Sequence, residues 1–214
     1  GLLIAVALTS LTLALARINL PDLIMGGYLF TFVISTALFI VRGNRIDSPL
    51  INLSIFKNTV FASANIAHVL IGAALITGMV TIPLMSNTAM GLSPLEGGLR
   101  LLRLTAAIPV GAMLGGIICV YFEYRLPAIA GLLLASLGFA FMNGWDITIR
   151  EPSLTIQLAI TGLGFGLLIA PITLAVTESV PDQDRGTAAA IVTASRMIGM
   201  TLGLATLTAW GAAR

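Results

Sequence analysis

The sequence predicts an all-α integral membrane protein, a helix bundle of about seven transmembrane segments. Three observations carry that prediction. Of the 214 residues, 57% are hydrophobic and 9% charged, whereas an ordinary soluble domain carries about 25% charged residues. The mean hydropathy is +1.03. The apolar residues also fall in continuous runs separated by brief polar segments, with none of the apolar/polar alternation over about 10 positions that marks a membrane barrel strand.

A spanning helix needs about 20 mostly apolar residues to cross a hydrocarbon core about 30 Å thick. Seven stretches reach or approach that length: Gly1 to Ala16, Leu23 to Val41, Val60 to Met85, Gly98 to Val120, Leu126 to Gly144, Leu154 to Glu178 and Thr187 to Trp210. The connecting segments carry turn residues at Asn19-Leu20-Pro21-Asp22, Gly43-Asn44 with Ser48-Pro49, Gly91 to Pro94, Glu151-Pro152 and Pro181 to Gly186. The longest connection, Arg42 to Asn58, contains Ile46, Leu50, Ile51 and Phe56, so it reads as a short segment lying in the membrane interface. The chain opens Gly-Leu-Leu-Ile without a basic segment, which is unlike a signal peptide and suggests a start inside a longer protein.

Lys and Arg in short loops favour the cytoplasm. Placing the Arg42 to Asn58 connection there puts Arg42, Arg45, Lys57, Arg125 and Arg185 inside, against Arg17, Arg150 and Arg214 outside. Counting Arg100 and Arg103 as outer levels the two sides. The net charge of +2 on so few ionisable groups gives no basic patch for nucleic acid, and the single cysteine, Cys119, permits no intrachain disulfide.

Ionisable groups at mid-membrane are costly and default to functional candidates. Arg196 stands near the middle of the last stretch beside Thr193 and Ser195, where it would serve a substrate or proton pathway or form a structural ion pair. Asn65 and His68 share one face of the third stretch with Gly72. His68 is either a proton relay or a hydrogen-bonded packing residue. Glu178 ends its stretch next to Pro181, as a boundary charge or as a gate.

Small residues have a mechanical reading, because helices approach closely in lipid at Gly, Ala and Ser. Gly111 and Gly115 follow Pro109, Gly162, Gly164 and Gly166 precede Pro171, and Gly199 and Gly203 repeat the four-residue spacing. These positions are the candidates for helix packing and gating. With one His, one Cys and no Asp inside a span, neither a metal site nor a Ser-His-Asp arrangement is expected, and the chain is not read as an enzyme. Gly162-x-Gly-x-Gly lies within an apolar helix, so it is no phosphate loop.

Four stretches carry a family resemblance. They are Ser93-Pro-Leu-Glu-Gly-Gly-Leu-Arg-Leu-Leu102, Gly162-Leu-Gly-Phe-Gly-Leu-Leu-Ile-Ala-Pro171, Val180-Pro-Asp-Gln-Asp-Arg-Gly-Thr-Ala-Ala-Ala190 and Ser195-Arg-Met-Ile-Gly-Met-Thr-Leu-Gly-Leu-Ala205. In order and spacing they resemble the C-terminal part of a major facilitator superfamily exporter of the fourteen-helix drug:proton antiporter group. Arg196-Met-Ile-Gly-Met and Thr208-Ala-Trp-Gly211 are similar to the mycobacterial-type lipid and multidrug exporters within it. Departures fall at Val120-Tyr121, where the family's gating loop reads Asp-Arg, at Arg103 in place of a proline, and at Glu178 in place of a basic residue.

The resemblance implies a C-terminal fragment, with residues 1–44 as two linker helices and residues 45–214 as five of six helices of an incomplete C-terminal bundle. It further implies a secondary active transporter in the cell membrane that exports drugs or lipophilic substrates by alternating access. The energy source would be a proton gradient with no cofactor, and Arg196 would lie in the substrate and proton pathway. The implied partners are the bilayer, an amphipathic or lipid substrate, the missing N-terminal half and a lipoprotein, with no nucleic acid. The alternative from another class is a non-transporting membrane scaffold or partner subunit.

Overall fold

A computed structural model of the protein describes residues 2–16, 23–43, 53–146, 149 and 151–212. Seven α-helices occupy them: α1 (Leu2–Ala16), α2 (Leu23–Gly43), α3 (Thr59–Leu84), α4 (Pro94–Tyr121), α5 (Arg125–Asn143), α6 (Ser153–Glu178) and α7 (Arg185–Ala212). There is no strand among the described residues. Six of these helices, α2 to α7, are long and apolar enough to cross a membrane. At 15 residues, α1 is shorter than the usual span of about 20. The chain is a multi-pass membrane protein. Of the Arg42 to Asn58 connection, a short 3₁₀ turn at Leu53–Lys57 is described; Arg45, Ile46, Pro49, Leu50 and Ile51 lie outside the described residues, as do Arg17, Asn19 to Asp22, Arg150 and Arg214.

The helix ends follow local chemistry. Asn58 caps α3, its Oδ1 accepting the backbone N–H groups of Val60 and Phe61 at 2.9 and 3.4 Å. α4 starts at Pro94, four residues before the sequence reading placed it. Ser93 and Glu96 form a reciprocal capping box there: the Glu96 N–H donates to Ser93 Oγ and the Ser93 N–H to Glu96 Oε2. The polar residues that hid the start of the helix are the ones that make it. α7 likewise starts at Arg185 rather than Thr187, after a 3₁₀ turn over Asp182–Asp184, and Arg185 pairs with Asp182 at 3.0 Å. Past α3 the chain makes one π turn, Met85–Ala89, and then turns at Gly91, whose φ of +67° suits a residue without a Cβ.

The chain divides into two compact units, residues 1–74 with 179–214, and residues 75–178. The second unit is organised on α6, which packs against both α4 and α5. Its glycines explain how. A Cβ on Gly162 would collide with the Leu104 carbonyl and one on Gly166 with the Ile108 carbonyl, both on α4. Gly164, two residues on and nearly opposite on the helix, meets the Ala135 backbone of α5. α4 and α5 reciprocate: a Cβ on Gly111 would collide with the Leu163 backbone, one on Gly115 would come within 3.3 Å of the Pro171 ring, and one on Gly131 within 2.6 Å of the Leu168 N. In lipid there is no hydrophobic drive to join two apolar helices, so such backbone-to-backbone contact supplies the dispersion energy that does. Phe139 and Phe165 add an edge-to-face ring contact at 5.9 Å.

In the first unit α1 packs on α2, and α1 and α3 meet α7. The α3 and α7 backbones touch at two glycines. A Cβ on Gly72 would strike the Arg196 carbonyl, and one on Gly199 the Val69 carbonyl.

Candidate functional site

The same α3–α7 contact gathers the polar residues of the first unit. Asn65 is buried and its Nδ2 donates to the Phe61 carbonyl at 2.8 Å, one turn back on α3. Its Oδ1 accepts from the Ser195 hydroxyl of α7, also at 2.8 Å. The amide is thus satisfied on both sides, which is what a buried polar group in an apolar medium requires. His68, one turn along α3, is fully buried and lies within electrostatic reach of the Arg196 guanidinium. Arg196 itself is half-buried. Among the described residues the ion pairs are Arg103–Glu151 and Arg185–Asp182, and Arg196 belongs to neither.

Asn65, His68 and Arg196 are therefore brought together, with Ser195 as the residue that joins the two helices. Two elements hold them: the four-residue spacing of α3 stacks Phe61, Asn65 and Val69 on one face, and the glycine contacts at Gly72 and Gly199 bring α7 against it. The arrangement can hold one positive charge beside a titratable imidazole inside two spanning helices. Glu178 belongs to the other unit, exposed at the end of α6 and within electrostatic reach of Cys119 on α4. Gly111, Gly115, Gly162, Gly166 and Pro171 meet at the α4–α6 seam, and Gly199 serves the α3–α7 seam. No group of three or more His, Cys, Asp or Glu side chains able to hold a metal occurs among the described residues.

Sequence reasoning missed two further polar assemblies. In the first unit Asn58 Nδ2 donates to the Ser179 carbonyl at 2.8 Å, tying the start of α3 to the segment before α7; an Asn just before an apolar run was the available signal for the cap. In the second unit Arg103 of α4 pairs with Glu151, whose other oxygen accepts from the Thr155 hydroxyl of α6. The Thr155 hydrogen bond first, and then Arg103, hold the Glu151 carboxyl below the usual carboxylate range. Nearby, Arg100 Nη1 reaches Ser86 Oγ at 3.4 Å and Met90 Sδ at 2.6 Å.

No family model matches the chain. Among curated proteins it is similar to a triacylglyceride transporter of Mycolicibacterium hassiacum, 34% identical over 99% of this chain and 42% of the relative. It is 37% identical to one of Mycolicibacterium smegmatis over 71% of the chain and 29% of the relative. A third, of Mycobacteroides abscessus, is 31% identical over 81% of the chain and 36% of the relative. The chain thus spans less than half the length of the curated relatives it matches. These relatives correct the expectation of a C-terminal fragment of a fourteen-helix drug:proton antiporter of the major facilitator superfamily: they are named triacylglyceride transporters of mycobacteria, and it is to those that the chain is similar.

Proposed function

We propose that this chain takes part in moving lipophilic molecules of the triacylglyceride class across or out of the membrane. The relatives' names support the substrate class, and the apolar bundle supports a route from within the bilayer. The single observation that carries a transport mechanism is the polar cluster of Asn65, His68, Ser195 and Arg196 held inside two spanning helices. An arginine at the centre of a spanning helix costs about 2.5–3.5 kcal/mol on insertion scales, a cost without purpose in a passive scaffold.

In this reading the α3–α7 seam moves between two states open to opposite sides, and the proton gradient biases them through the cluster. Arg196 supplies the fixed charge and His68 the titratable one. The glycine seams at Gly111, Gly115, Gly162, Gly166 and Gly199 let helices slide while staying in contact, and Pro171 lets α6 bend. A lipoprotein acceptor belongs to the same proposal, because a triacylglyceride leaving the bilayer has no solubility in water.

Efflux of a labelled triacylglyceride from cells carrying the full-length gene tests this. Arg196→Ala should lower export at least about tenfold, the equivalent of one strong charge interaction. Collapse of the proton gradient should stop it. Export that survives the uncoupler would sink the coupling, and an active Arg196→Ala protein would sink the site.

A further inference from the structure

The α1–α2 pair carries a shallow, open groove that the transport reading leaves unused. Its volume is about 350 Å³, at the small end of the roughly 300–1,000 Å³ of ligand sites. One wall is a stripe of α1 made by Leu2, Val6, Thr9 and Leu13, at the three- and four-residue spacing that shares a helix face. The other is formed by Tyr28 and Thr31 of α2. The Thr31 hydroxyl is committed to the Gly27 carbonyl at 2.8 Å, whereas the half-buried Tyr28 brings a phenolic donor to the groove.

Three features identify an occupant. Most of α2 is exposed, Phe30, Val33 and Leu38 among its apolar residues, so the groove is open to an apolar molecule from the side. The α1 stripe runs from Leu2 to Leu13, about 17 Å at 1.5 Å per residue, close to half of a hydrocarbon core about 30 Å thick and therefore the reach of one fatty chain. Tyr28 stands five residues into α2, about 8 Å from the helix start, at the interfacial depth where tyrosines gather and lipid ester carbonyls lie. Among the described residues, no charged side chain lines the groove.

We propose that this groove is a site for a neutral glycerolipid, with one fatty chain along the α1 stripe and an ester carbonyl accepting from the Tyr28 hydroxyl. The choice of a neutral lipid over a phospholipid rests on the lipid-transport reading.

The test uses the full-length protein in lipid nanodiscs with two photoreactive probes, a triacylglyceride and a phosphatidylcholine, each carrying a diazirine on one chain. Peptides from α1 and α2 should be labelled by the triacylglyceride several-fold more than by the phosphatidylcholine. Thr31→Trp fills the groove and should cut that labelling about tenfold; Tyr28→Phe keeps the ring and should cut it about fivefold, the equivalent of one hydrogen bond. Helix content and elution volume check that the variants are folded, and Tyr28→Phe is mild enough to keep the test valid if Thr31→Trp is not. Equal labelling by both probes, which is the signature of bulk annular lipid, would overturn the proposal, as would labelling indifferent to both substitutions. Triacylglyceride export measured in parallel separates the two ideas: export without groove labelling removes the groove alone, and groove labelling without export removes the transport reading alone.

Discussion

At the scale of single residues, polar contacts near lipid are weaker than their burial suggests. Interhelical hydrogen bonds in membranes average about 0.6 kcal/mol, with a ceiling near 1.7, because the separated helices find other partners. Ser195→Ala, which removes the donor to Asn65, should therefore lower stability by about 0.6 kcal/mol in detergent-mixture unfolding. A loss beyond about 3 kcal/mol would mean that the bond anchors more than one helix pair. The exposed Arg103–Glu151 pair is of the same small order, within about 1 kcal/mol after solvent screening. Its pH dependence has a definite sign. The Glu151 carboxyl titrates below its unfolded value because Thr155 and Arg103 favour the ionised form, so its contribution is present above the ordinary glutamate pKa near 4.3 and is lost as pH falls through the lower folded value. Glu151→Gln should accordingly melt slightly below wild type at pH 7, with the gap closing below about pH 4; a gap that widens in acid would reverse the assignment. Arg196 and His68 were legible in the sequence as lone ionisable groups in apolar runs. Their neighbour Ser195 was seen only as adjacent to Arg196, since its partner Asn65 is 130 residues away and no single-chain pattern encodes that pairing.

At the scale of helices, glycine contact outweighs the hydrogen bonds. Gly162, Gly166 and Gly199 have a neighbouring carbonyl where a methyl would stand, whereas Gly116, on the same helix as Gly111, has nothing within 4 Å. Alanine at any of the first three must separate two backbones, and overpacking of that kind costs about 1–3 kcal/mol. Gly116→Ala meets no obstacle and should be neutral or stabilising by up to about 1 kcal/mol through helix propensity. Unfolding midpoints of the four variants in one detergent series check this ordering, and an unstable Gly116→Ala with a stable Gly162→Ala would refute the seam. Helix existence was legible because the apolar runs are continuous. The starts of α4 and α7 were not, because Ser93-Pro-Leu-Glu96 and Arg185-Gly186 read as loop by polarity and are helical by capping and by the preceding 3₁₀ turn. The four-residue glycine repeats announced close approach, but not that Gly162 and Gly166 face α4 while Gly164 faces α5.

At the scale of the molecule, sidedness is the property that the sequence left balanced, since the Lys and Arg count comes out even once Arg100 and Arg103 are included. The structure supplies a criterion that does not depend on charge. Within the first unit, the Asn58–Ser179 bond requires the start of α3 and the segment before α7 to lie on one face of the membrane. Within the second, α5 crosses once between Arg125 and Asn143, so Glu123 and the end of α5 lie on opposite faces. Single cysteines introduced in a Cys119→Ser background, probed with a membrane-impermeant maleimide on intact cells and on inverted vesicles, read this directly. Lys57→Cys and Asp182→Cys should label from the same side, and Glu123→Cys and Asn143→Cys from opposite sides. If positively charged loops set the orientation, Lys57 and Asp182 face the cytoplasm and react in inverted vesicles only. Labelling of Lys57 and Asp182 from different sides would break the Asn58 tie, and with it the packing that brings Ser195 and Arg196 of α7 against Asn65 and His68 of α3.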